Sequence, residues 1–331
     1  MWSRIEYGQW KALLSRQRQR VDKLLPTLVT EDENHPIYNF FLTYYRYVPS
    51  ALRSYSPGIG VMISTESADD YKSDLPKKGR VVYNDSCVIF DPRSANFNEK
   101  QVNNFRKTLR ILEATKIRPP NFHCYGLHEW AMLYSKSTPF VTQSLPLRKS
   151  LSNEVIQEVV KTQGPKCTHY DAFRFFSEDA KPLNSTVPRS ASSAKLASEM
   201  PLTRENEEHF EQPGCLHSIM DIYRWSLKIF PFISSNLLVD SLELAIKARE
   251  VDMRASPYDL KAYEFRSSER VSIEPNHHEK SFENDFDRSP ILIETIEGRR
   301  EYAKLQKELY EQSKPVREQV IMSYKILLDN L

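Results

Sequence analysis

The chain has 331 residues, 40% hydrophobic and 27% charged, with 46 Lys/Arg against 44 Asp/Glu. That length buries a substantial core, and a net charge of +2 is too small to demand a nucleic-acid or membrane partner by itself. No apolar run is long enough for a membrane span, Met1-Trp2-Ser3-Arg4-Ile5-Glu6 lacks a signal core, and four cysteines make no disulfide framework here. The expectation is an intracellular protein, cytoplasmic or nuclear, in a reducing compartment and without a membrane.

In chain order, residues 1–25 carry Trp2, Ile5, Trp10, Leu13, Leu14, Val21 and Leu24 at roughly helical spacing. Arg4, Lys11, Arg16, Arg18, Arg20 and Lys23 make this helix basic, which suits a solvated face or an acidic partner. Ile37 to Tyr55 is aromatic and reads as a helix interrupted at Pro49. Residues 59–63 and 81–90 are β-rich and read as paired strands of a small sheet. Residues 100–117 predict a helix stopped by Arg118-Pro119-Pro120. His128 to Tyr134 predicts another, and Leu151 to Val160 fits helix or strand. Leu216 to Ile229, stopped by Pro231, and Ser235 to Arg254 predict two more helices. Ile291-Leu292-Ile293 is a short strand candidate, and Glu297 to Leu331 predicts a closing helix kinked at Pro315. Residues 185–210 and 264–290 are polar and read as flexible inserts. Eight glycines and long charged segments favour helix over a glycine-turned sandwich. The fold expected is mainly α, one large helical domain over 1–331 with a minor β element.

Three stretches share one design. They are Cys124-Tyr125-Gly126-Leu127-His128-Glu129, Cys167-Thr168-His169-Tyr170-Asp171 and Cys215-Leu216-His217-Ser218-Ile219-Met220-Asp221. Each follows a Pro/Gly turn and runs cysteine, histidine, carboxylate, which points to a shared site. His217 and Asp221 are four apart at a helix start and share a face. His169 and Asp171 are two apart, so an extended backbone points both the same way. Three imidazoles and one or two carboxylates suit Zn, Fe or Mn, with His128, His169, His217, Asp171 and Asp221 as the candidate ligands. His128, Glu129 and Asp171 are the candidate catalytic groups, Glu129 as general base. A Cys–His nucleophile pair, such as Cys124 with His169, is a further arrangement these residues permit. Against all of these stands the plain reading of satisfied core histidines and buried cysteines. The sequence contains no glycine-rich phosphate loop, no Gly-x-Ser-x-Gly and no His-Glu-x-x-His.

The runs Phe122 to Met132, His169 to Phe176, Gln212 to His217 and Asp252 to Asp259 resemble bacterial proteins labelled 3-methyladenine DNA glycosylase. The resemblance extends from His35 to Tyr302 and brings no catalytic residues with it. It implies base-excision activity, with DNA as partner and a nucleobase as the group acted on. Such chemistry needs an aromatic pocket, a water-activating carboxylate and a basic track for the backbone. Aromatics and carboxylates are abundant here, whereas a helix-hairpin-helix with a glycine-rich hairpin is not visible. Three functional expectations follow. The first is an enzyme with a buried His/carboxylate site, metal-dependent or not, acting on a small or nucleobase-like molecule. The second is a DNA glycosylase, and the third a non-catalytic helical binding protein.

Overall fold

The computed structural model describes residues 3–25, 35–45, 49–84, 86–135, 145–186, 200–262 and 286–331. The fold is mainly α with one small sheet.

Helix α1, Tyr7–Leu24, buries Trp10, Leu14, Gln17 and Val21 along one stripe. The spacing of four, three and four is why this run stays helical and turns its basic side outward. Before it, Ser3–Ile5 forms β1 rather than continuing the helix, and pairs in parallel with β2, Val61–Ser64. The 81–90 run is not one strand. It folds back as β3, Arg80–Tyr83, and β4, Cys87–Phe90, with Asn84 at φ 49° in the turn. Asparagine tolerates that left-handed backbone, so the turn fits a stretch that composition alone reads as continuous. β2 pairs antiparallel with β4, giving the order β1-β2-β4-β3.

The aromatic segment splits into α2, Tyr38–Thr43, and α3, Pro49–Arg53, where proline occupies the first helical position. Ala68–Ser73 forms α4 behind a Ser67/Asp70 capping box. Helix α5, Glu99–Ile117, starts at an Asn98/Gln101 capping box and ends before Pro119. Then come α6, Leu127–Leu133, α7, Asn153–Gln163, and the single turn α8, Tyr170–Phe173. The ambiguous 151–160 run resolves as helix because Ser152 caps α7 by accepting from Val155 N.

The centre of the molecule is α9, Leu216–Ile229, antiparallel to α10, Ser235–Arg254, across the Pro231 turn. The long α11, Ile296–Asp329, packs on both and on α5, with Pro315 inside it. Buried apolar side chains from these helices, α1 and the sheet form one connected core. Ile291 and Ile293 are buried, but they sit in a turn where Ile291 N donates to Arg254 O. Burial, not strand pairing, explains Ile291 and Ile293, while Leu292 between them is exposed.

Of the expected inserts, 187–199 and 263–285 lie outside the described residues. The described part of the first carries buried Leu202 and Phe210, and the described part of the second carries buried Phe286. Among the described residues, no helix is long and apolar enough to cross a membrane.

Candidate functional site

The three Cys–His stretches meet at one cavity. Its walls include Cys124 and His128 from the first, Cys167 and Thr168 from the second, and Cys215 and His217 from the third. Asp252 from α10 and Tyr302 from α11 complete it.

Local backbone chemistry aims each stretch inward. Tyr125 and Gly126 take φ of 48° and 65°, a left-handed pair that reverses the chain into α6. A Cβ on Gly126 would meet Ala255 Cβ at 3.1 Å and Tyr302 Cε2 at 3.4 Å, so this turn lies tightly against α10's end and α11. His128 follows in the first turn of α6. In the third stretch, the Gln212 side chain accepts from Asn121 N and from Gly214 N, both at 2.8 Å. That ties the turn before α9 to the turn before α6. Gln306 of α11 donates to Gly214 O at 2.6 Å and to Cys124 Sγ at 3.3 Å, and it is fully buried. In the second stretch, Asn184 accepts from Cys167 N and donates to Cys167 O, fixing the chain that presents His169.

His217 sits between the other two imidazoles. Its ring centroid is 4.5 Å from that of His128, nearly perpendicular, and 5.2 Å from that of His169, nearly parallel. His128 Nε2 lies 3.5 Å from Asp252 Oδ2 and 3.6 Å from Glu129 Oε1. Arg249 Nη1 joins the same two carboxylates, at 2.9 Å to Asp252 Oδ2 and 3.5 Å to Glu129 Oε1. His169 Nδ1 is 2.5 Å from Glu211 Oε1, an ion pair whose angle is poor for a hydrogen bond.

The electrostatics divide the three histidines. Burial, reinforced by the positive charge of His128, His169 and Arg249, holds His217 well below the ordinary imidazole value. It is neutral and offers a lone pair. Burial also pushes His128 down, but the Asp252 and Glu129 carboxylates outweigh it and raise His128. Burial opposes charge on His169 too, yet Glu211, Asp221 and Asp171 lift it to about 9. Glu129 is pushed up by burial, but His128 and Arg249 bring it down to about 2. Burial raises the thiols of Cys124, Cys167 and Cys215, so they are neutral and not nucleophiles of the thiolate kind.

The sequence-based set therefore divides. His128, His169, His217 and Glu129 come together. Asp171 and Asp221 do not face the imidazoles as ligands, because arginine holds both. Arg224 Nη1 lies 2.9 Å from Asp171 Oδ2 and 3.4 Å from Asp221 Oδ2, and Tyr45 OH donates to Asp221 Oδ1 at 2.9 Å. Asp252 lies beside His128 instead. One ligand atom each of His128, His217 and Asp252 lies within 4.8 Å of the others, the arrangement of a cation site. Asp252, Arg249, Glu211, Tyr302 and Gln306 carry no role in the sequence reading. The available signal was Arg249 and Asp252, a charged pair three apart on the largely apolar α10.

The cavity holds about 20 Å³, room for a water molecule or an ion. No family model, curated protein or solved structure matches this chain.

Proposed function

We propose that the protein is a metal-dependent enzyme in which His128, His217 and Asp252 hold a divalent cation, of the Zn, Fe or Mn kind, against a small or nucleobase-like substrate. The observation that carries this reading is the approach of those three ligand atoms within 4.8 Å inside a cavity of ionic size. Charge supports it. Glu129 and Asp252 face Arg249, so once His128 gives up its proton the pocket carries one surplus negative charge, which a divalent cation complements.

A bound cation at this place would supply Lewis acidity and an acidified water. The chain's own groups do the rest. Asp252 orients His128, and Arg249 fixes Asp252 and Glu129 in place. Glu129, beside both His128 and Arg249, orients the two. His169, held by Glu211 beside His217, is placed to donate a proton or stabilise an anion. The cavity in this form is too small for a nucleobase, so a substrate would present only its reacting group. The same argument favours metal chemistry over the glycosylase activity that the sequence resemblance implies, because a flipped base needs a pocket of its own size.

The test is elemental analysis of purified wild type and His217→Ala, with Tm recorded on both. A divalent metal near one per chain in wild type, sharply reduced in the variant while it remains folded, is expected. Wild type purified without metal, and taking none up on addition of zinc, iron or manganese salts, overturns the reading. If His217 serves only packing, the change costs about 1–3 kcal/mol and metal is irrelevant. Salt-dependent DNA binding with excision of a methylated base by metal-free protein would favour the glycosylase instead.

A further inference from the structure

The second Cys–His stretch leads into a separate group of charges that the metal reading does not use. Three arginines from three segments converge on one carboxylate. Arg174, at the end of α8, places Nε 3.3 Å from Asp171 Oδ1. Arg204, from the segment before the Glu207–His209 turn, bonds the same oxygen through Nη2. Arg224 of α9 takes Oδ2 at 2.9 Å and reaches Asp221 as well. The carboxylate is buried at 4% exposure, while the Arg174, Arg204 and Arg224 side chains keep 40%, 44% and 29%. The acid lies at the bottom, with a rim of guanidinium groups open to solvent above it.

Each guanidinium is also braced by an aromatic ring. Arg174 lies 4.4 Å from the Phe175 centroid, Arg204 5.1 Å from Tyr170 and Arg224 4.6 Å from Trp225. Arg174 also donates to Tyr44 OH at 2.8 Å. A fourth cation, Lys228, stands 5.1 Å over the other part of the group, above Trp225. Four cations thus face two carboxylates, Asp171 and Asp221. Glu207 offsets none of the surplus, because it is paired with Lys107. Burial, with the positive charge of Arg224 and Lys107, lowers the Lys228 ammonium to about 8, as expected where positive charge is in excess.

The donors are not used up. Among the described residues, Nε and Nη1 of Arg204 and Nε and Nη2 of Arg224 have no protein acceptor. Ordering several arginines side by side opposes their mutual repulsion and their rotamer entropy. A single carboxylate does not neutralise them, and stacking on rings leaves the N–H edges pointing outward. A tetrahedral dianion matches such an array. It accepts paired N–H groups from guanidinium forks and offsets their surplus positive charge.

We propose that the Arg174–Arg204–Arg224 cluster is a binding site for a phosphate group, free or carried as a phosphomonoester. The site stands apart from the metal reading and does not depend on it. Arg204 and Arg224 supply the free forks, Arg174 the third charge, and Asp171 holds the three in register.

The experiment uses the full chain. Inorganic phosphate is titrated by calorimetry and by thermal melting, against sodium chloride at matched ionic strength, and a nucleoside 5′-monophosphate is titrated in parallel. Wild type is expected to bind phosphate saturably, with a matching rise in Tm that chloride does not reproduce. Arg204→Gln, at an exposed position outside the core, is expected to weaken binding by about tenfold, a loss of about 1.4 kcal/mol. Arg224→Gln should act likewise, and Arg110→Gln, an exposed control pairing with Glu208, should bind as wild type does. Tighter binding of the monophosphate assigns the site to a phosphomonoester; equal binding assigns it to the free anion. No saturable binding, an equal effect of chloride, or unchanged affinity in Arg204→Gln overturns the proposal. Metal content is measured on the same samples. It should not change in Arg204→Gln, so failure here is distinguishable from failure of the metal site.

Discussion

Arg249 and Asp252 lie three residues apart on α10, and Arg249 Nη1 donates to Asp252 Oδ2 at 2.9 Å while that same oxygen faces His128 Nε2 at 3.5 Å. One carboxylate oxygen therefore serves a fixed cation on its own helix and an imidazole from α6. A cation placed between His128 and His217 would find Asp252 already oriented.

Asp252→Asn tests that relation. Removing the charge while keeping the shape should cut metal affinity by more than the loss from Glu129→Gln, for which the usual outer-shell effect of roughly 10–100-fold is expected. Metal titration of both variants, stripped and reloaded, gives the order. Equal affinity in Asp252→Asn and wild type would remove Asp252 from the ligand set.

Asp171→Asn should behave differently. It leaves Arg224 and Arg204 without their main acceptor, so stability should fall by about 1–3 kcal/mol in denaturant melts. Metal content should stay at the wild-type level, because both Asp171 oxygens are engaged by arginine and not by the imidazoles. A loss of metal in Asp171→Asn would restore it as a ligand.

Gly126→Ala combines two penalties. The backbone is at φ 65°, and the added methyl would press on Ala255 Cβ at 3.1 Å. A cost of about 1–3 kcal/mol is expected for forcing a side chain into this turn. Because the turn delivers His128, metal affinity should drop together with Tm. A variant as stable as wild type would show that the turn relaxes freely.

Lys228 gives a pH prediction with a definite sign. Its folded-state value is lowered to about 8 from 10.5, so between those two values the native chain binds fewer protons than the unfolded one. Stability attributable to Lys228 should therefore rise as pH climbs through that window and level off above it. Denaturant melts of wild type and Lys228→Met from pH 7 to 10 should differ in slope, wild type gaining relative to the variant. Parallel slopes would place the ammonium in a solvated setting.

The helices were legible because their signals are local. Apolar spacing and the stops at Pro119 and Pro231 mark the long helices, whereas the 151–160 run, read as helix or strand, is settled only by the Ser152 cap. β1 was not legible, since Ser3–Ile5 becomes a strand only by pairing with Val61–Ile63 far along the chain. The β3–β4 turn was readable and was passed over: Asn84-Asp85-Ser86 is a turn signal between two β-forming runs, and Asn84 takes the left-handed backbone there. At the site, the repeated Cys–His pattern announced the convergence of His128, His169 and His217. The carboxylates were less legible, because sequence spacing shows which acid is near a histidine along the chain but not that Arg224 lies beside Asp171 and Asp221. Asp252 reaches His128 across two helices, and no local pattern encodes that contact.

Gln306 has a consequence for how the protein comes into being. It joins Cys124 and Gly214 from a helix whose contact residue is made 92 positions after Gly214. Until residue 306 emerges, the turns before α6 and α9 are tied through Gln212 but not yet through Gln306. A nascent or prematurely terminated chain can therefore build its sheet and early helices and still lack the pocket. Whatever ion or molecule enters there meets the complete clamp only once residue 306 is in place.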